Sequence, residues 1–98
     1  MGPEELRKQA EAPTDDPAIA GLWWAAQGNW DRAHACAQEG EGGKAADWVH
    51  AYLHRVEGDL SNAQYWYARA GKPVSEASLE DEWDEIARAL LGPDGRRV

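Results

Sequence analysis

The sequence predicts an all-α fold: two helical hairpins followed by a C-terminal capping helix, with a short N-terminal helix or tail. Three observations predict it. Apolar residues recur at helical spacing, as in Val49, Tyr52, Leu53 and Val56 or Leu79, Trp83, Ile86 and Leu90. Gly-Asn and Gly-Asp pairs at 28–29 and 58–59 break two of these runs in the middle, as tight turns between helices do. No stretch alternates apolar and polar residues in the manner of a strand.

Taken in order, residues 1–13 form a flexible or short-helical segment in which Pro3 opens a helix and Glu4 and Glu5 favour its dipole. Only Leu6 and Ala10 give it an apolar side, so loose docking is expected. Residues 14–92 read as a single helical-repeat-like domain, and the fold as a whole is expected to hold at most five helices. Asp16 caps the first and Pro17 starts it; AIAGLWWAAQ is apolar nearly all round and therefore buried on several sides. Gly28-Asn29 ends it, and WDRAHACAQE follows with Trp30, Ala33 and Ala37 on one face. The glycines at 40, 42 and 43 connect to a third helix over about residues 44–57. After Gly58-Asp59 the fourth carries Ala63, Trp66, Tyr67 and Ala70 on one side. Gly71-Lys72-Pro73 stops it, and Ser75 or Ser78 caps the last helix, whose acidic start at Glu80, Asp81 and Glu82 reads as solvated. Gly92-Pro93 ends that helix, and residues 93–98 are expected to be a disordered tail.

Composition bounds the function. Ninety-eight residues bury about two thirds of their unfolded surface, and with no Phe present the six Trp, each burying on the order of 200 Å², supply much of the core. A formal charge of −8 repels nucleic acid and anionic membranes, so neither is expected as a partner. The single Cys36 excludes an internal disulfide and suits a reducing compartment. No apolar run resembles a signal peptide or a membrane span, so a cytoplasmic location is expected. Cys36 has no CxxC partner, and His34, two residues away, faces elsewhere on a helix.

Shifting the chain by thirty residues superposes Ile19, Leu22, Trp23 and Ala26 on Val49, Tyr52, Leu53 and Val56, Gly28-Asn29 on Gly58-Asp59, and Ala33 on Ala63. Gly58-Asp59, Ala63, Tyr67 and Ala70 stand at the spacing of second helices in tetratricopeptide and Sel1-like repeats, so the two hairpins resemble tetratricopeptide hairpins. The period is shorter than the usual one of about 34 residues, and the large aromatic of the first helix is missing at Pro17 and Asp47. GLWWAAQGNWDRAH, WVHAYLHRVEGDLSNAQYWYARAGKP and SLEDEWDEIARALL together resemble a group of small, functionally uncharacterised bacterial helical proteins. That resemblance implies the fold and a bacterial source; it implies no function.

Two readings of function follow. The first is a small interaction module that binds a protein or peptide segment, or itself as a homodimer, with no cofactor. Trp48, Tyr52, Arg55 and Tyr65 would line its groove, since aromatics and Arg are enriched at such surfaces; their plainer role is packing. The second places a metal-dependent or acid–base site at His34, His50 and His54 with Asp47 as ligand or orienter, and it implies zinc or another transition metal. His50 and His54 are i, i+4, and Asp47, His50, Ala51 and His54 fall within about 100° on a helical wheel. Helical HxxxH spacing plus a donor from a neighbouring helix makes a three-ligand site. The plainer alternative here is a structural hydrogen-bonded cluster. The first reading is favoured over an enzyme.

Overall fold

A computed structural model describes residues 1–92. Among these the chain is all-helical, with α1 over Pro3–Lys8, α2 over Pro17–Ala26, α3 over Trp30–Glu39, α4 over Lys44–Val56, α5 over Leu60–Ala70 and α6 over Leu79–Leu91. The tail expected at 93–98 lies outside the described residues.

The helix ends follow the cap chemistry of the sequence. Asp16 Oδ1 accepts from the Ala18 and Ile19 amides at 2.9 and 3.2 Å. Asn29, Asp59 and Ser78 accept from the amides of Arg32, Asn62 and Asp81. Each bond satisfies a donor that the first turn leaves orphaned. Gly28 and Gly58, with φ of +81° and +85°, take the left-handed turn between paired helices that the sequence predicts. The chain thus folds as an α2–α3 hairpin and an α4–α5 hairpin.

Helix α4 is the centre. Every residue from Ala46 to His54 is buried, because α2, α3, α5 and α6 all pack on it. Small residues set the approach inside the first hairpin: a Cβ on Gly21 would stand 3.2 Å from the Ala33 carbonyl and 3.4 Å from Cys36 Cβ. Ala33 and Ala37 are fully buried on the facing side. Helix α6 caps the assembly with Trp83, Ile86 and Ala87, and Trp83 Nε1 donates to the Leu22 carbonyl at 2.9 Å.

Three expectations need correction. Six helices are present among the described residues, not five at most, and α1 is firmly docked. Leu6 is fully buried, Arg7 Nη2 donates to Asp84 at 2.8 Å and its guanidinium lies over Trp83, and Trp23 Nε1 donates to the Gln9 carbonyl. A six-residue helix has little stability of its own, so these contacts hold it. The start of α6 is not wholly solvated, since Glu82 is only 1% exposed and accepts from Arg55 Nη1 at 2.7 Å and the Tyr67 hydroxyl at 2.5 Å. Trp48, off the apolar stripe of α4, is nevertheless buried; the chain after α5 turns over it and sets the Lys72 ammonium 4.2 Å from its ring.

Candidate metal centre

All three histidines of the chain meet where the two hairpins join. Helical spacing places His50 and His54 one turn apart on α4, where their rings stack with centroids 4.9 Å apart. Helix α3 runs alongside and directs His34 edge-on to both, at centroid distances of 4.6 and 5.2 Å. One ligating nitrogen from each ring lies within 4.8 Å of the others. The Nε2 atoms of His34 and His50 are 3.0 Å apart, so one ring's Nε2–H donates to the other's lone pair.

Indoles fix the rings from behind. Trp30, one turn before His34 on α3, stacks on it at 4.6 Å with planes 11° apart, and its Nε1 donates to the Leu53 carbonyl at 2.7 Å. Trp66 on α5 stacks on His50 at 3.8 Å. His54 Nδ1–H donates to Glu57 Oε1 at 2.5 Å, which fixes its tautomer and leaves Nε2 with its lone pair. His50 and His54 are 3% and 6% exposed and His34 is half-buried, so solvent reaches the cluster past His34.

Burial disfavours the charged imidazolium of His50 and of His34, and a neighbouring ring adds to the effect in each case. His50 is held down to about 4, first by desolvation and then by His34, His54 and Arg69. His34 is lowered as well, by desolvation and then by His54, against an opposing pull from Glu57 and Asp31. At neutral pH both rings are therefore neutral, the form that binds a metal. His50 Nδ1 is buried with no hydrogen-bond partner.

Asp47 does not take the part expected of it. It is buried, but its carboxylate accepts from the Gly42 amide at 3.2 Å and lies 3.7 Å from Arg69 Nε, directed at the α3–α4 connection and α5. The oriented carboxylate of the cluster is Glu57, which the sequence places only at the end of the third helix. Its signal was present, since position 57 lies three residues after His54.

The four residues expected to line a groove are not gathered on one surface. Trp48 borders a cavity with Lys72, Ser75 and Glu85, whereas Tyr52 borders a different one with Ala25, Trp30 and Val56. Trp48 and Tyr52 are 6% and 7% exposed. Arg55 is held by Glu82 and also donates to the Ala77 carbonyl. Tyr65 alone is open to solvent, where its hydroxyl accepts from Arg69 at 3.0 Å.

Comparison with protein-family models, with curated proteins and with solved structures returned no match. Among the described residues no helix is long and apolar enough to cross a membrane.

Proposed function

We propose that this protein binds a first-row transition-metal dication, zinc foremost, through His34, His50 and His54 at the junction of its two hairpins. The observation that carries the reading is the convergence of three imidazole nitrogens within 4.8 Å of one another from two helices. Nitrogens bound at about 2.0–2.1 Å to a tetrahedral zinc stand about 3.3 Å from each other, so side-chain shifts of no more than about 1.5 Å complete the geometry. The 3.0 Å separation of the His34 and His50 Nε2 atoms is already close to it, and ligation requires the donating ring to carry its proton on Nδ1 instead. Imidazole nitrogen suits zinc, copper, nickel and iron, and the low proton affinity of His34 and His50 removes the usual competitor for the lone pair. The Glu57 carboxylate on His54 matches the outer partner that ligating histidines usually have.

The competing account is a cluster that only stabilises the fold. The orphaned His50 Nδ1 weighs against it, because an unsatisfied buried polar atom costs about 1–3 kcal/mol. A role as an interaction module has weaker support, since Trp48 and Tyr52 border separate cavities and Arg55 and Tyr65 line neither. The test is the metal content of protein purified without an affinity tag, together with zinc titration of the wild type and of His34→Ala, His50→Ala and His54→Ala. One equivalent bound by the wild type, with at least a hundredfold weaker binding in each variant, is the expected result. Failure of the wild type to bind zinc, copper, nickel or cobalt at micromolar concentration overturns the proposal.

A further inference from the structure

We infer that an ion held by His34, His50 and His54 keeps one coordination position for a small exogenous ligand, water or hydroxide at rest and a small anion in exchange. This rests on the metal-binding reading and adds that the centre is exchangeable and not a closed staple. The first argument is the donor count. Structural zinc sites are closed by four protein ligands, whereas exchangeable ones have three and leave the fourth position to water or substrate. Among the described residues the converging histidine group has three members; Glu57 and Asp59 form a second donor group with His54 alone, and Asp59 there accepts from the Asn62 amide and side chain.

The nearby candidates for a fourth ligand are each engaged elsewhere. Glu57 is bonded to His54 Nδ1 at 2.5 Å. Asp47 shares the helix but accepts from Gly42 and faces Arg69. Cys36 stands two residues from His34, yet its Cβ lies against Gly21, on the side of α3 that faces α2. No swing of a single rotamer brings the Cys36 sulfur round the helix to the cluster, because positions i and i+2 point to opposite sides.

The second argument is access and charge. His34 is half-buried while His50 and His54 are buried, so the approach lies on the His34 side. Trp30 covers a face of His34 and Trp66 a face of His50, which narrows that approach to a small ligand. Three neutral imidazoles bring no charge into the ion's own shell, unlike a thiolate site; Glu57 offsets part of the dipositive charge through His54, and the remainder favours an anion at the open position. Zinc held by His34, His50 and His54 would acidify a water at that position, releasing its proton to solvent near pH 7 as three-imidazole zinc sites do.

Cobalt(II) in place of zinc provides the test, because its visible bands report the ligand set. The 98-residue chain is loaded with one equivalent of cobalt and titrated with azide, and separately taken from about pH 6 to about pH 9, the range that brackets ionisation of a metal-bound water. A saturable shift of the visible bands with one azide bound per cobalt, and a single-proton change of the spectrum with pH, is the expected result. Cobalt uptake with a spectrum unmoved by both treatments overturns this inference alone and means that the chain supplies the fourth ligand. No uptake of cobalt or zinc overturns the metal-binding reading itself.

Discussion

The indole of Trp66 lies 3.8 Å from the imidazole of His50 with the two planes 14° apart, and the Nδ1 of that imidazole has no hydrogen-bond partner. A phenyl ring in the same place would keep the stack and remove the orphaned atom. His50→Phe is therefore expected to leave the stability of the metal-free protein within about 1 kcal/mol of wild type or to raise it, while abolishing metal binding. Chemical denaturation and zinc titration of the same sample check both halves. A loss of several kcal/mol would mean that the cluster serves the fold.

Acid should weaken the metal-free protein in a particular window. In the unfolded chain His50 titrates near its ordinary 6.5, whereas in the folded protein it is held down to about 4. Between those values the unfolded chain carries a proton that the folded one lacks, so stability falls as the pH drops from 6.5 toward 4 and is insensitive to His50 above 6.5. At about 1.4 kcal/mol per unit, the loss attributable to this ring is on the order of 2–3 kcal/mol at the acid end. Urea midpoints at pH 7 and pH 4.5 measure it against a His50→Phe control. The control should show a shallower decline; equal declines would mean that carboxylates cause all of it.

Gly58 tests the hairpin turn. Its φ is +85° and an added Cβ would meet nothing within 4 Å, so any cost of substitution is a backbone cost. Gly58→Val is expected to lose more than about 1 kcal/mol, and Gly58→Asn much less, because Asn tolerates the left-handed region and a β-branched residue does not. Thermal melting of the two variants decides it.

The turns were legible because their chemistry is local: Gly28 and Gly58, Asn29 and Asp59, Asp16 and Ser78 each act on residues within one turn of themselves. The shared face of His50 and His54 was legible for the same reason. That His34 comes within 3.0 Å of His50 was not, since it depends on how α3 lies across α4. Asp47 and Glu57 show the limit from the other side. Both are about one turn from a histidine, but the Gly42 amide and Arg69 draw Asp47 away, and neither partner is visible in its own helix. Glu82 reads as solvated by residue type, yet Arg55 and Tyr67 meet it inside the fold. Partners distant in sequence decide where a charged side chain ends up.

That Arg55–Glu82–Tyr67 cluster joins the second hairpin to α6. Arg55→Ala leaves the Glu82 carboxylate buried without its cation and should cost about 3 kcal/mol, as the breaking of buried pairs does. Combining Arg55→Met with Glu82→Gln removes the charge on both sides and retains an acceptor for the Tyr67 hydroxyl, so more than half of that loss should return. Denaturation of the single and double variants gives the comparison. A double variant no more stable than Arg55→Ala would mean that Arg55 acts by packing rather than by charge.

Glu57 offers the sharpest separation of site from scaffold. Its side chain is 40% exposed, so its own contribution to stability is small, on the order of 1 kcal/mol or less. Its carboxylate nevertheless accepts from His54 Nδ1, which holds the ring in one tautomer and one orientation. Glu57→Gln keeps an oxygen acceptor at the same reach but removes the charge, and should weaken zinc binding about 10–100-fold with little change in the denaturation midpoint. Asp47→Asn should do the reverse. It perturbs a buried contact to Gly42 and Arg69 and costs stability, while the zinc affinity of the folded protein stays within about threefold, a difference of well under 1 kcal/mol. Competition titration with a chromophoric chelator measures both affinities. Unchanged zinc affinity in Glu57→Gln, or a large loss in Asp47→Asn, would reassign the carboxylate that serves the cluster.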